Sequence, residues 1–148
     1  MRMIKAITIK QPWAALIVAG LKDVENRSWD TRYRGELLIH AGQKEDPRGW
    51  ARVADLGVAL PQELLQSGVI LGSVELDDVV REHDSAWANH FQWNWVLSGA
   101  QPATRFVEAS GKLGLFAPPL DWRRGFTDVD APGLTGWSKV RDLAVTGG

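Results

Sequence analysis

Lys22, Glu25 and Arg27 lie close together in the stretch Gly20-Leu21-Lys22-Asp23-Val24-Glu25-Asn26-Arg27-Ser28-Trp29. An ammonium, a carboxylate and a guanidinium gathered in one pocket could anchor an anion or a polarised carbonyl, and a desolvated lysine could act as a base. Successive side chains of a strand point to opposite faces. Strict alternation would group Lys22 with Val24, Asn26 and Ser28, and would leave Glu25, Arg27 and Trp29 on the other face. A bulge or turn near Asp23 would bring all three charges together, and the pattern leaves both arrangements open. The competing reading is an edge strand with ordinary solvated charges. Against it stands the context, a helix on one side and the basic, aromatic run Arg32-Tyr33-Arg34 on the other.

The elements that must position these residues are short. Ile4 to Ile9 reads as a first strand. Gln11-Pro12-Trp13 opens an apolar helix through Ala19, with proline at the position where its missing N–H costs nothing. Gly20 ends it. Asp30 to Gly35 reads as a polar connection, and Glu36 to Ala41 as a strand buried on both faces and ending at His40 and Ala41. Asp46-Pro47 caps a second helix to about Leu56, with Trp50, Val53 and Leu56 at core spacing. A short helix over Gln62 to Gln66 follows. Val69 to Leu76, continuing toward Val80, is the third strand, with Ile70, Gly72, Val74 and Leu76 on one face and Leu71, Ser73 and Glu75 on the other. Gln92 to Leu97, Gln101 to Ala109 and Lys112 to Phe116 read as three more strands. The tail from Asp121 is rich in Gly, Asp and Pro, and its last residues are expected to fray.

These elements predict an α+β fold: a small, curled mixed β-sheet or β-barrel of about six strands with flanking helices, in one domain of 148 residues. No run approaches the ~18 apolar residues of a membrane span, and the start of the chain has no signal-peptide pattern. With no cysteine there is no disulfide and no thiolate site, and the histidines lack metal-ligand spacing. No metal or other cofactor is expected, and the default location is cytoplasmic.

A net charge of −1 argues against a general electrostatic nucleic-acid binder. The charge is unevenly spread: residues 1–50 hold nine Lys/Arg against six Asp/Glu, and residues 51–100 hold two against seven. One basic and one acidic face could result. Eight tryptophans are an unusual number; Trp serves both cores and stacking on bases, so some of the eight could belong to a binding surface. Phosphate-loop patterns and the G-x-S-x-G elbow do not occur. His83-Asp84-Ser85 is contiguous and cannot form a triad by itself. His40 reads as a core histidine satisfied by backbone.

Gly20, Lys22, Glu25 and Arg27 spell G-x-K-x-x-E-x-R, and here the sequence resembles the ASCH family. Gln11-Pro12-Trp13-Ala14 precedes the signature, and Tyr33-Arg34-Gly35-Glu36-Leu37-Leu38-Ile39-His40-Ala41 follows it. Ile70 to Leu76 and Lys112 to Phe116 match later strands. The likeness covers about residues 4–117 and leaves 118–148 as a C-terminal extension. It implies a PUA-like barrel with a cleft beside the signature that binds nucleic acid, usually RNA, or a modified nucleobase. In that role Lys22 and Arg27 would meet phosphate or base acceptors, Arg32 and Arg34 would extend a basic rim, and Trp29 and Tyr33 would stack on an unpaired base. The implied partner is single-stranded RNA or DNA, or a nucleoside; separately, a monomer with no membrane role is expected.

The resemblance also implies an alternative. One bacterial branch removes the acyl group from N4-acetylcytidine with a Lys, a Thr and a Glu, and some relatives are linked to RNA cleavage. Lys22 and Glu75 match the lysine and the glutamate, while Glu25 stands at the threonine position. An ionised Glu25 would repel the oxyanion that a hydroxyl could stabilise. Both readings expect Lys22, Glu25 and Glu75 to line one concave site. They also expect a partly buried Glu75 paired with Lys22, or failing that with Arg27.

Overall fold

A computed structural model of the chain describes residues 3–127. One mixed, five-stranded sheet runs through it, in the order β1 (Lys5–Gln11), β3 (Gly35–Glu45), β4 (Val69–Val80), β5 (Trp93–Glu108), β2 (Val24–Arg27). β1 and β3 are parallel and the other neighbours antiparallel. Two α-helices, α1 (Trp13–Val18) and α2 (Pro47–Leu56), and two 3₁₀ turns, Gln62–Leu65 and Trp122–Phe126, complete the described chain.

The expected α+β class and mixed sheet are present. The closed barrel of about six strands is not: the sheet has two edges, β1 and β2. The fourth and fifth strands expected from the sequence are one continuous β5, bent where Gly99 takes a positive φ of 58° and where the β4–β5 register shifts. The sixth reduces to a single antiparallel bridge between Ala6 and Phe116. The expectation for residues 128–148 lies outside the described residues.

The apolar run of β3 is buried from Leu37 to Ala41, on both faces of the sheet. On one face α1, buried from Ala14 to Val18, packs across the strands. At Gly72 a β-carbon would stand 2.6 Å from the Gln101 carbonyl and 2.9 Å from Val18, so this approach of helix to sheet requires glycine. The main core joins α1 to Ile7, Ile9, Leu37, Ile39, Leu71, Val74, Leu76 and Trp95. A smaller cluster of Ala6, Leu38, Ile70 and Phe116 covers the other face.

Strict alternation fails along β4. Val69 and Leu71 reach the main core, and so do Val74 and Leu76, a change of parity made at irregularities in the ladder to β5. In α2 the expected core stripe is narrower than its spacing suggested. Val53 is buried, Trp50 is half-buried and Leu56 is exposed. Gly49 instead makes the close contact, against Pro12 and Trp13.

Candidate functional site

The chain turns sharply between α1 and β2, and this turn settles the question the alternation left open. Leu16 at the end of α1 accepts backbone hydrogen bonds from both Leu21 and Lys22 (3.0 and 3.1 Å). Gly20 occupies the left-handed region (φ 80°) that the turn needs. Lys22 therefore lies before the strand begins. Its Nζ donates to the Val24 carbonyl and to Glu25 Oε1 at 3.2 Å. Glu25 and Arg27, two apart on β2, share a face, and Arg27 Nε donates to Glu25 Oε2 at 3.0 Å. One carboxylate is thus shared by two cations, with the Lys22 side chain only 4% exposed.

These residues form part of the wall of a cleft of about 1090 Å³ that lies between the two edge strands. Arg27 Nη2 donates to the Thr8 carbonyl on β1 at 2.9 Å. The Thr8 hydroxyl lies 3.0 Å from His40 Nδ1, and His40 Nε2 lies 2.6 Å from the Ala109 carbonyl. A carbonyl can only accept, so Nε2 carries the proton and Nδ1 accepts from Thr8. Burial holds the His40 pKa below its ordinary value. His40 is the backbone-satisfied core histidine expected, although β3 continues past it to Glu45.

Two cleft elements, the β4–β5 loop and α2, are not legible as such in the sequence. The loop between β4 and β5 folds over the signature, held by Asn94, whose amide group donates to the Arg81 and Asn89 carbonyls and accepts from Asn89 N and Asn26 Nδ2. This sets Trp87 against Trp13, edge to face at 6.2 Å, with Lys22 Nζ 5.6 and 5.8 Å from the two ring centres. At the start of α2, Asp46 caps the helix through Arg48 N (3.0 Å) and accepts from Trp13 Nε1 (2.9 Å). Hydrogen bonds from the Arg48 side chain and then from Trp13 hold its carboxyl down at about 2. One turn along α2, the Arg52 guanidinium lies 4.9 Å from the Trp87 ring centre.

Seven Lys or Arg residues line the cleft against two carboxylates, Glu25 and Asp46, each already paired with a cation. Five of the seven come from the basic first third of the chain. The cleft offers hydrogen-bond donors, positive charge and aromatic faces. Among the described residues no group of His, Cys, Asp and Glu could hold a metal ion, and no helix is long and apolar enough to cross a membrane.

The expected site residues divide. Lys22, Glu25, Arg27 and Trp29 line the cleft, Trp29 also packing edge to face on buried Trp95 at 4.8 Å. Arg32, Tyr33 and Arg34 do not. The Tyr33 hydroxyl donates to the Glu36 carbonyl and accepts from Lys5 N, and Arg34 turns back onto the Thr31 and Tyr33 carbonyls. Glu75 also stands outside. It is exposed, opposite Glu36 on β3 and Ser98 on β5. The parity change along β4 turns it to solvent, so the expected pairing with Lys22 does not form.

A family model described as ASCH domain matches residues 7–112. Activating signal cointegrator 1 of mouse and of human are each 37% identical to this chain over 87 residues, covering 51% of the chain. The chain spans 14% of the length of these relatives. Among solved structures, the ASCH protein of Zymomonas mobilis matches with a TM-score of 0.52 at 14% identity, over 84% of this chain and 94% of that one. A tyrosine-to-phenylalanine variant of the Zymomonas mobilis protein gives 0.50 at 15%, over 78% and 90%. At these identities the solved structures bear on the fold alone.

Proposed function

The chain belongs to the ASCH domain family, and from that premise we propose that its cleft binds single-stranded nucleic acid, RNA foremost. The observation that carries this reading is the charge of the cleft, seven cations against two already paired carboxylates in a chain whose net charge is −1. Phosphates supply the complementary charge. Arg48 and Arg52 at α2 are the phosphate contacts, and Arg27 and Asn26 meet base edges. The faces of Trp13, Trp29 and Trp87 give the cleft the aromatic surface on which unpaired bases stack.

The hydrolytic alternative, removal of an acyl group from N4-acetylcytidine, draws support from Lys22 and Glu25 sharing the cleft wall. It is the weaker reading. The Lys22 ammonium is committed to Glu25 and the Val24 carbonyl, and the carboxylate needed as proton shuttle, Glu75, lies outside the cleft.

The binding reading is tested by fluorescence anisotropy with labelled single-stranded RNA, single-stranded DNA and duplex at several salt concentrations. The single strands should bind, with log affinity falling linearly as log salt rises. Arg52→Ala should lower that slope by about 0.7, one phosphate contact on a single strand. No binding of any strand at about 20 mM salt would overturn the reading, because low salt maximises phosphate contacts.

A further inference from the structure

Two large apolar side chains, Phe91 and Leu113, are 90% and 100% exposed, and both line the cleft. They stand on different supports. Phe91 belongs to the β4–β5 loop, which Asn26 of β2 holds through the Trp87 carbonyl and Asn94. Leu113 belongs to the segment after β5, which lies against β1 and β3. A β-carbon on Gly111 would come 2.9 Å from Thr8 Oγ1 and 3.1 Å from His40 Cε1. One lip of the cleft is therefore built on the β2 edge and the other on the β1 edge.

Single exposed apolar residues are ordinary, but the main chain that carries Phe91 is held in place. Its N–H donates to Asn89 Oδ1 at 2.8 Å, and Asn89 N in turn donates to the buried Asn94 side chain at 2.8 Å. The main chain beneath it is fixed while the ring contributes nothing to either core cluster. With the main chain already ordered, only the ring's own rotamers remain to be ordered on binding.

We infer that Phe91 and Leu113 form a clamp that takes one unpaired base of a single strand between the lips of the cleft, Phe91 stacking on one face and Leu113 closing on the other. This rests on the cleft being a nucleic-acid site. The basic cleft between the lips favours that occupant over an apolar peptide, since the strand's phosphates would run along Arg48 and Arg52 while a base turns outward. The clamp requires splayed, single-stranded bases, and a base in a duplex stack cannot enter it.

The test compares three ligands of about 12 nucleotides, a length within the site sizes of single-strand binders. They are a single-stranded RNA, an abasic strand with the same phosphates, and a duplex, each titrated at about 20 mM salt against the full chain. The wild-type protein should bind the RNA at least about fivefold more tightly than the abasic strand, and Phe91→Ala should remove about five- to a hundredfold of RNA affinity while leaving the abasic strand unchanged. Phe91→Trp should restore it. Both positions are exposed, so melting temperatures should not move, which separates loss of clamping from loss of folding.

If Phe91→Ala binds RNA as tightly as wild type while Arg52→Ala does not, the clamp is overturned and the cleft reading stands. If no strand binds, both fall. If instead the Phe91→Ala, Leu113→Ala protein changes its sedimentation from dimer to monomer with RNA affinity unaltered, the lips belong to a contact between copies of the chain and the clamp is likewise overturned.

Discussion

Arg27 on β2 donates from Nη2 to the main-chain carbonyl of Thr8 on β1 at 2.9 Å, so one side chain spans the two edges of the open sheet. The same guanidinium is anchored through Nε to Glu25. Residues of both edge strands line the cleft. Arg27→Ala should destabilise the fold by about 1.5–3 kcal/mol, the range for hydrogen bonds to a charged group. Arg27→Lys should recover only part, because an ammonium cannot serve Glu25 and Thr8 with a planar fork. Urea unfolding of the three proteins measures this, with the m-value expected to stay constant.

Glu25 and Glu75 should separate cleanly. Glu25→Ala leaves Lys22 buried without its carboxylate, a loss of about 3–5 kcal/mol, and Glu25→Gln should cost less. Glu75 is exposed beside Glu36, and like charges opposite one another on neighbouring strands repel. Glu75→Ala should therefore change stability by no more than about 0.5 kcal/mol, with RNA affinity intact. Thermal melts of both variants decide the matter.

Acid should act through Asp46. Its carboxyl is held at about 2, below its ordinary value, so the unfolded chain binds the proton first as pH falls. The stability that Asp46 contributes is complete above pH ~4 and is lost between about 4 and 2. Asp46→Asn should flatten that limb of the stability profile. His40 adds an earlier decline. Burial lowers its pKa, so the unfolded state takes up the proton more readily and stability falls as pH drops below about 6.5. Denaturation midpoints from pH 8 to 2 for wild type and Asp46→Asn would show both limbs.

The signature was legible because its residues are close in sequence, and a turn at Gly20 completes locally what alternation alone would have split. The strands of the core were legible from their apolar runs, as in Leu37 to Ala41. Period-two alternation does not locate Glu75, because β4 shifts register against β5 before it and one extra residue reverses the face. Adjacency to the signature suggests that Arg32, Tyr33 and Arg34 belong to the cleft, but the chain has left the cleft by Thr31. Trp87, Arg48 and Arg52 reach the site from a distant loop and from α2, through contacts that no local pattern encodes. A tryptophan in the otherwise polar stretch from Arg81 to Asn89 was the available hint.

The cleft as the nucleic-acid site is tested most directly by a titration of ¹⁵N-labelled protein with single-stranded RNA, watching the tryptophan indole N–H signals. Trp13 and Trp87 line the cleft, Trp95 is fully buried, and Trp122 lies beside Tyr33 and Glu36 away from it. The expected result is that the Trp13 and Trp87 signals move together with added RNA while Trp95 and Trp122 stay in place. Movement of Trp122 with Trp13 and Trp87 unmoved would contradict the assignment.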